Sequence, residues 1–234
     1  MEMASIATSP AEGQGATWPA DARVSCWHCG AEHAPRLFCP ACNALQPLPE
    51  RADYFQVLDL PRRLVIDPEL LQKHYYELHR CLHPDLYQTG LQAARQASLR
   101  NTAALNRAYR SLRDPVDRGL YWLTLQGESL GADNNRVPPD LAALVFEVQE
   151  HLEEMRAARN RNGAAQALVS EIAAARAELL ERQRALLQQL EENFARWDAG
   201  AGDATSLTRG LKAILSALAY LGTLLRDVEK ELEA

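Results

Sequence analysis

The chain has 234 residues, 47% hydrophobic and 24% charged, with 25 Lys and Arg against 31 Asp and Glu for a net charge of −6. That length allows two or three small domains, and the composition is that of an ordinary soluble globular protein. A mildly acidic chain argues against nucleic acid as the main partner, and no apolar run is long enough to span a bilayer. The charge is uneven: two basic and five acidic residues over 1–50, ten and seven over 51–115, thirteen and nineteen over 116–234. A basic middle followed by an acidic end suggests two surfaces for two partners.

Residues 1–22 are small and polar, with Glu2, Glu12 and Asp21 and no Lys or Arg. A secretory signal needs a basic start and an apolar core, and a presequence needs arginines, so the expectation is a disordered tail on a cytoplasmic protein. Residues 23–48 hold Cys26-x2-Cys29 and Cys39-x2-Cys42, four of the five cysteines; Cys81 stands alone. Without an export signal this spacing reads as metal binding rather than disulfides. A two-residue gap lets both thiolates of a knuckle face one ion. Gly30 and Asn43 follow the pairs, types that tolerate the left-handed turn a knuckle needs. Four sulfurs favour one structural, tetrahedral Zn, with Fe the alternative. His28 and His33 could replace a ligand, but four cysteines complete the shell. The segment is too short to fold by core burial, so metal would supply its stability.

Pro47 and Pro49 separate this module from a helical remainder. Asp53 caps a short helix at Tyr54-Phe55-x-Val57-Leu58 that Pro61 stops. Asp67-Pro68-Glu69 is a helix start. Leu70, Leu71, His74, Tyr75, Leu78 and Leu82 then recur at helical spacing, leaving Lys73, Glu77 and Arg80 outside. Pro84 ends this helix near His83. A second long helix, about 91–113, carries Leu91, Ala94, Ala97, Leu105, Ala108, Tyr109 and Leu112, and the pair should form an antiparallel hairpin. Asp114-Pro115 repeats the stop-and-start signal. A short helix over 116–126 and a turn-rich connector from Gly127 to Pro139 lead to three helices at about 140–160, 164–199 and 205–233. In the middle one, Leu168, Ile172, Ala175, Leu179, Leu186, Leu190, Phe194 and Trp197 keep a near-heptad stripe. Short loops at Gly163 and Gly200-Ala201-Gly202 imply antiparallel neighbours in a bundle. The fold class is all-α, with strand confined to the cysteine segment.

His83-Pro84-Asp85 between two such helices resembles the signature loop of a J-domain. The likeness extends through Tyr54-Phe55, Leu60-Pro61, Ile66-Asp67, Tyr75, Leu78, Asn106-x-Ala108-Tyr109 and Leu112-x-Asp114-Pro115-x-x-Arg118. With the Leu-Pro after the first helix and the all-helical end, residues 53–234 are similar to the HscB family, co-chaperones of iron–sulfur cluster assembly, some of which carry a tetracysteine module. The resemblance implies a J-domain over 51–118 and a scaffold-binding bundle over 119–234. It implies a non-enzymatic role, with no catalytic residue. The J-domain would stimulate ATP hydrolysis by a DnaK/HscA-type chaperone through His83, Pro84 and Asp85, with cations from Lys73 and Arg80. Arg62, Arg63, Arg107 and Arg110 are weaker candidates, and Leu86 departs from the Lys that many J-domains carry.

Leu141, Val145, Val148, Leu152 and Met155 form the core stripe of the 140–160 helix. Phe146 falls off that stripe beside Glu147, Glu150 and Glu154, which suggests a binding patch. By resemblance the contacts to an IscU-type scaffold are Ala142, Ala143, Phe146, Glu147, Glu150 and Glu154, with Tyr220 from the last helix. Ala142 and Ala143 are smaller than is usual there. The rival readings are a J-protein for another client, a zinc-dependent interaction module and a redox enzyme using its Cys pairs. Self-association is left open.

Overall fold

The computed structural model describes residues 22–49, 52–131, 141–159 and 166–233. The tail expected over 1–22 therefore lies, except for Ala22, outside the described residues, as do most of the 127–139 connector and the turn at Gly163. The chain divides into two compact units between Asp114 and Pro115.

The first unit opens with the cysteine module. Strands β1 (Val24–Ser25) and β2 (Glu32–His33) pair antiparallel, with Val24 opposite His33, and a single bridge joins Phe38 to Leu45. Helix α1 (Tyr54–Val57) starts at a reciprocal cap: Asp53 accepts from the Gln56 N–H, and the Gln56 side chain accepts from the Asp53 N–H. It ends before Pro61 acts. Leu58 caps it and Asp59 turns left-handed, φ 53°.

Helix α2 (Pro68–Leu82) begins where expected, the Asp67 carboxylate accepting from the Glu69 and Leu70 N–H groups. A 3-10 turn over Pro84–Tyr87 follows, then α3 (Gln92–Arg113), against which α1, α2 and the 3-10 turn all pack. Their shared core is Phe55, Leu58, Leu60, Leu64, Leu71, Leu82, Leu105 and Leu112, each at most 2% exposed. Burial of that depth is worth about 1.5–3 kcal/mol per large apolar side chain, which holds a short helix such as α1 in place.

Two expected core residues differ. Leu70 is 39% exposed because it faces about 100° away from its buried neighbour Leu71 on α2; Leu91 is 61% exposed because it precedes α3 as its N-cap.

The second unit holds α4 (Pro115–Leu125), α5 (Ala142–Arg159), α6 (Gln166–Asp198) and α7 (Ala204–Glu233). α6 and α7 run antiparallel, turned by Gly200 and Gly202 at φ 63° and 134°, a region that favours glycine. Asp203 then accepts from the Ser206 N–H and starts α7. α5 packs on α6 and α7, and so does α4. The stripe read from α6 is buried from Ile172 through Phe194 and meets Leu211, Leu215, Leu221 and Val228 of α7, while Leu168 and Trp197 at its ends are half-buried. Two interhelical ion pairs close the α7 end: Arg156 with Glu231 at 2.7 Å and Arg176 with Glu229 at 3.0 Å. Among the described residues no helix is long and apolar enough to cross a membrane.

Candidate functional site

The predicted residues fall into three groups, two in the first unit and one in the second. The metal candidates come first. Cys26, Cys29, Cys39 and Cys42 bring their sulfurs within 4.8 Å of one another. The Cys26–Cys42 and Cys29–Cys39 sulfurs are 3.7 and 3.8 Å apart. A disulfide needs about 2.05 Å, whereas the edge of a tetrahedron with Zn–S bonds of about 2.3 Å is about 3.8 Å. The donor set and its spacing thus fit one tetrahedral ion.

The set also carries strained charge. Burial pushes the Cys26 thiol up, but the Cys29 and His28 backbone N–H groups and the neighbouring thiols outweigh it and bring it to about 6. The Ala44 N–H draws the Cys42 thiol down, yet burial and the three other sulfurs push it to about 12. One thiolate opposes the next, and a cation at the centre relieves that opposition. The His28 N–H at 3.4 Å and the Gln46 Nε2 at 3.2 Å both donate to the Cys26 sulfur. His33 is buried and its Nδ1 donates to the Ala34 carbonyl at 2.8 Å; among the described residues the group whose ligand atoms lie within reach of one ion is the four cysteines.

The His-Pro-Asp loop is held out from the end of α2. Asp85 is exposed, and the His83 side chain is 45% exposed. His83 Nδ1 accepts from the Asp85 N–H at 3.3 Å, which leaves the neutral ring its proton on Nε2. Asp85 Oδ1 accepts from Gln88 Nε2 at 2.9 Å. Behind the loop the rings step back into the hairpin. His83 and His79 lie 5.5 Å apart, His79 and Tyr75 5.5 Å, and Tyr75 stacks on Tyr109 at 4.1 Å, its hydroxyl donating to Asn106. Tyr76, His79, Arg80, His83 and Leu86 line a shallow groove of about 560 Å³. Lys73, Glu77 and Arg80 are exposed along α2 as expected. Arg62 stays on the surface but is paired with the buried carboxylate of Asp53.

Leu141, just before α5, and Val145, Val148, Leu152 and Met155 on it are buried. Phe146 is 70% exposed, and Ala142, Ala143, Glu147, Glu150 and Glu154 share the outer side. An exposed aromatic among three carboxylates is an unusual surface for a helix whose other large apolar residues are covered. Tyr220 is half-buried on α7, which packs on α5; among the described residues no hydrogen bond, ion pair or ring contact joins it to that face.

Sequence reasoning missed a polar set on α3. Ser98 and Asn101 are at most 1% exposed; Ser98 and Thr102 donate to the Leu82 carbonyl, and Asn101 bonds the backbone of Gln46 and Leu48. The available signal was Asn101 standing in the core register between Ala97 and Leu105.

A helical hairpin closed on a His-Pro-Asp loop follows a four-cysteine module and precedes an antiparallel bundle, a J-domain-like fold with an appended all-α unit. No family model matches the chain. It is 31% identical over 150 residues to the "Iron-sulfur cluster co-chaperone protein HscB homolog" of Arabidopsis thaliana, a match covering 62% of this chain and 59% of that protein. It is 39% identical over 106 residues to the "Iron-sulfur cluster co-chaperone protein HscB" of Homo sapiens, covering 44% and 45%. The matches thus span less than two thirds of these curated relatives. Among solved structures, human co-chaperone protein HscB superposes with a TM-score of 0.67 at 25% identity, covering 90% of this chain and 100% of that one. The chaperone HscB from Vibrio cholerae gives 0.60 at 26% identity, covering 76% and 96%. In sequence and in fold, the chain is similar to the HscB co-chaperones.

Proposed function

We propose that the chain is a co-chaperone and not an enzyme. It stimulates ATP hydrolysis by a DnaK/HscA-type chaperone and delivers an IscU-like scaffold to it, assisting iron–sulfur cluster assembly and transfer. The observation that carries this reading is the His83-Pro84-Asp85 loop, its His donor and Asp carboxylate both exposed at the end of a helix that also exposes Lys73 and Arg80. Asp85 accepts a charge-assisted bond from a partner cation, and Lys73 and Arg80 speed encounter with an acidic surface. Pro84 and the 3-10 turn keep the loop preformed, so less order is lost on docking. We assign the chaperone contact to 51–118 and the client contact to 119–234. The Cys26, Cys29, Cys39, Cys42 centre holds one structural Zn, and the protein works in the cytoplasm.

The client surface is the α5 face, with Phe146 as its apolar anchor inside the carboxylates of Glu147, Glu150 and Glu154. Ala142 and Ala143 make a shallower neighbour than larger apolar residues would. Phe146→Ala should cost about 2 kcal/mol of scaffold affinity, roughly thirty-fold. Stimulation of the chaperone measured without scaffold should stay at the wild-type level. Calorimetric titration of scaffold checks this, and unchanged affinity would move the client to another surface or the chain to another client.

A further inference from the structure

The Leu82 carbonyl closes α2 without a backbone donor in the usual place. The Leu86 N–H, four residues on, bonds to the His83 carbonyl instead, and residue 84 is a proline with no N–H. Two hydroxyls of α3 serve Leu82: Ser98 Oγ at 2.7 Å and Thr102 Oγ1 at 3.0 Å. The residue beside His83 is therefore fixed by α3.

The same turn of α3 holds the cysteine module. Asn101, 1% exposed, donates through Nδ2 to the Gln46 carbonyl at 2.8 Å and accepts at Oδ1 from the Leu48 N–H at 3.0 Å. Its carboxamide thus reads one stretch of backbone from both sides. That stretch has a fixed shape because the Gln46 side chain donates to the Cys26 sulfur at 3.2 Å and to the Ala44 carbonyl at 2.8 Å. From the sulfur cluster to the residue before His83, every step is a hydrogen bond or a single helical turn.

We propose that Asn101 is a positioning residue that couples metal occupancy of the cysteine centre to the order of the His-Pro-Asp loop. The two-state element is the module itself. A segment of this size with four thiols at its centre is folded when metal holds it and loose when metal is withdrawn. With the centre filled, residues 46–48 keep both ends of the Asn101 amide paired, and the Ser98–Thr102 turn stays closed on Leu82. With it empty, a buried amide loses both partners and the turn opens to hydrate it, releasing Leu82 and His83. The role of the loop rests on the co-chaperone reading; the coupling does not.

Hydrogen exchange of the full chain tests it, loaded with zinc and then stripped by chelator, read on the peptide covering residues 82–90. Stripping wild type should speed exchange there about tenfold and leave α7 unchanged. Asn101→Ala, still binding one zinc, should exchange as fast as stripped wild type and gain nothing more on stripping. Asn101→Leu, close to it in volume, makes neither bond; it covers the case in which the alanine variant does not fold and should change in the same direction. Equal exchange in filled and empty wild type, or a wild-type response in both variants, overturns the coupling. Chaperone stimulation by loaded wild type is a separate arm: its absence with the exchange response intact defeats the co-chaperone reading alone.

Discussion

Each knuckle is closed by the same backbone device. The Cys26 carbonyl accepts from the Gly30 N–H at 2.9 Å and the Cys26 N–H donates to Ala31 at 2.9 Å. Cys39 repeats this with Asn43 at 2.9 Å and Ala44 at 3.0 Å. Gly30 and Asn43 make it fit by turning left-handed, φ 74° and 57°. The Trp27 indole N–H, 2.7 Å from the Leu45 carbonyl, ties one knuckle to the other. These features were legible: cysteine spacing and the residue after each pair name the turn before any coordinates. Cys39→Ser should therefore lose the ion, taking metal content from one per chain toward none and abolishing a dispersed Trp27 indole N–H resonance. A variant that retains full metal would mean that the four sulfurs are not its ligands. Asn101 and Ser98 were not legible, because a polar residue in a core slot looks like a surface residue until its partner, more than fifty positions away in the case of Asn101 and Gln46, is known.

At the scale of elements, caps and prolines placed most helix ends. Asp53, Asp67 and Pro115 open helices at the predicted positions, and Gly200 closes α6. The ends of α1 and α3 moved because their determinants are local turns, the left-handed Asp59 and the extended Leu91, which leave no periodic trace. Amphipathic spacing says which face is covered but not which residue meets the crossing, so Leu70 was assigned to the core and is half out. Close approach is likewise silent in sequence. Gly119 on α4 is buried where an added Cβ would stand 3.2 Å and 3.3 Å from the two methyls of Leu215 and 3.4 Å from Leu211. Gly119→Leu should overpack this contact at a cost of about 1–3 kcal/mol despite better helix propensity. Thermal unfolding followed by circular dichroism would show it as a fall in Tm of about 3–10 °C. A variant as stable as wild type would mean that α4 and α7 do not pack as described.

For the whole molecule, the partition of charge is the coarsest reading of the sequence. The basic stretch 51–115 contains the His-Pro-Asp loop with Lys73 and Arg80, and the acidic stretch 116–234 contains Phe146 with Glu147, Glu150 and Glu154. The two candidate contacts thus fall in different compact units, as the proposed role of holding a client and a chaperone together would require. On the proposed function, the exposed His83-Pro84-Asp85 loop drives ATP turnover in a DnaK/HscA-type chaperone. Steady-state ATPase of that chaperone, with metal-loaded wild type or His83→Gln added, is the direct measurement. Stimulation by wild type and none by His83→Gln is the expected result. Equal rates with both proteins would contradict the claim and leave the α5 face and the cysteine module as the places where this chain acts.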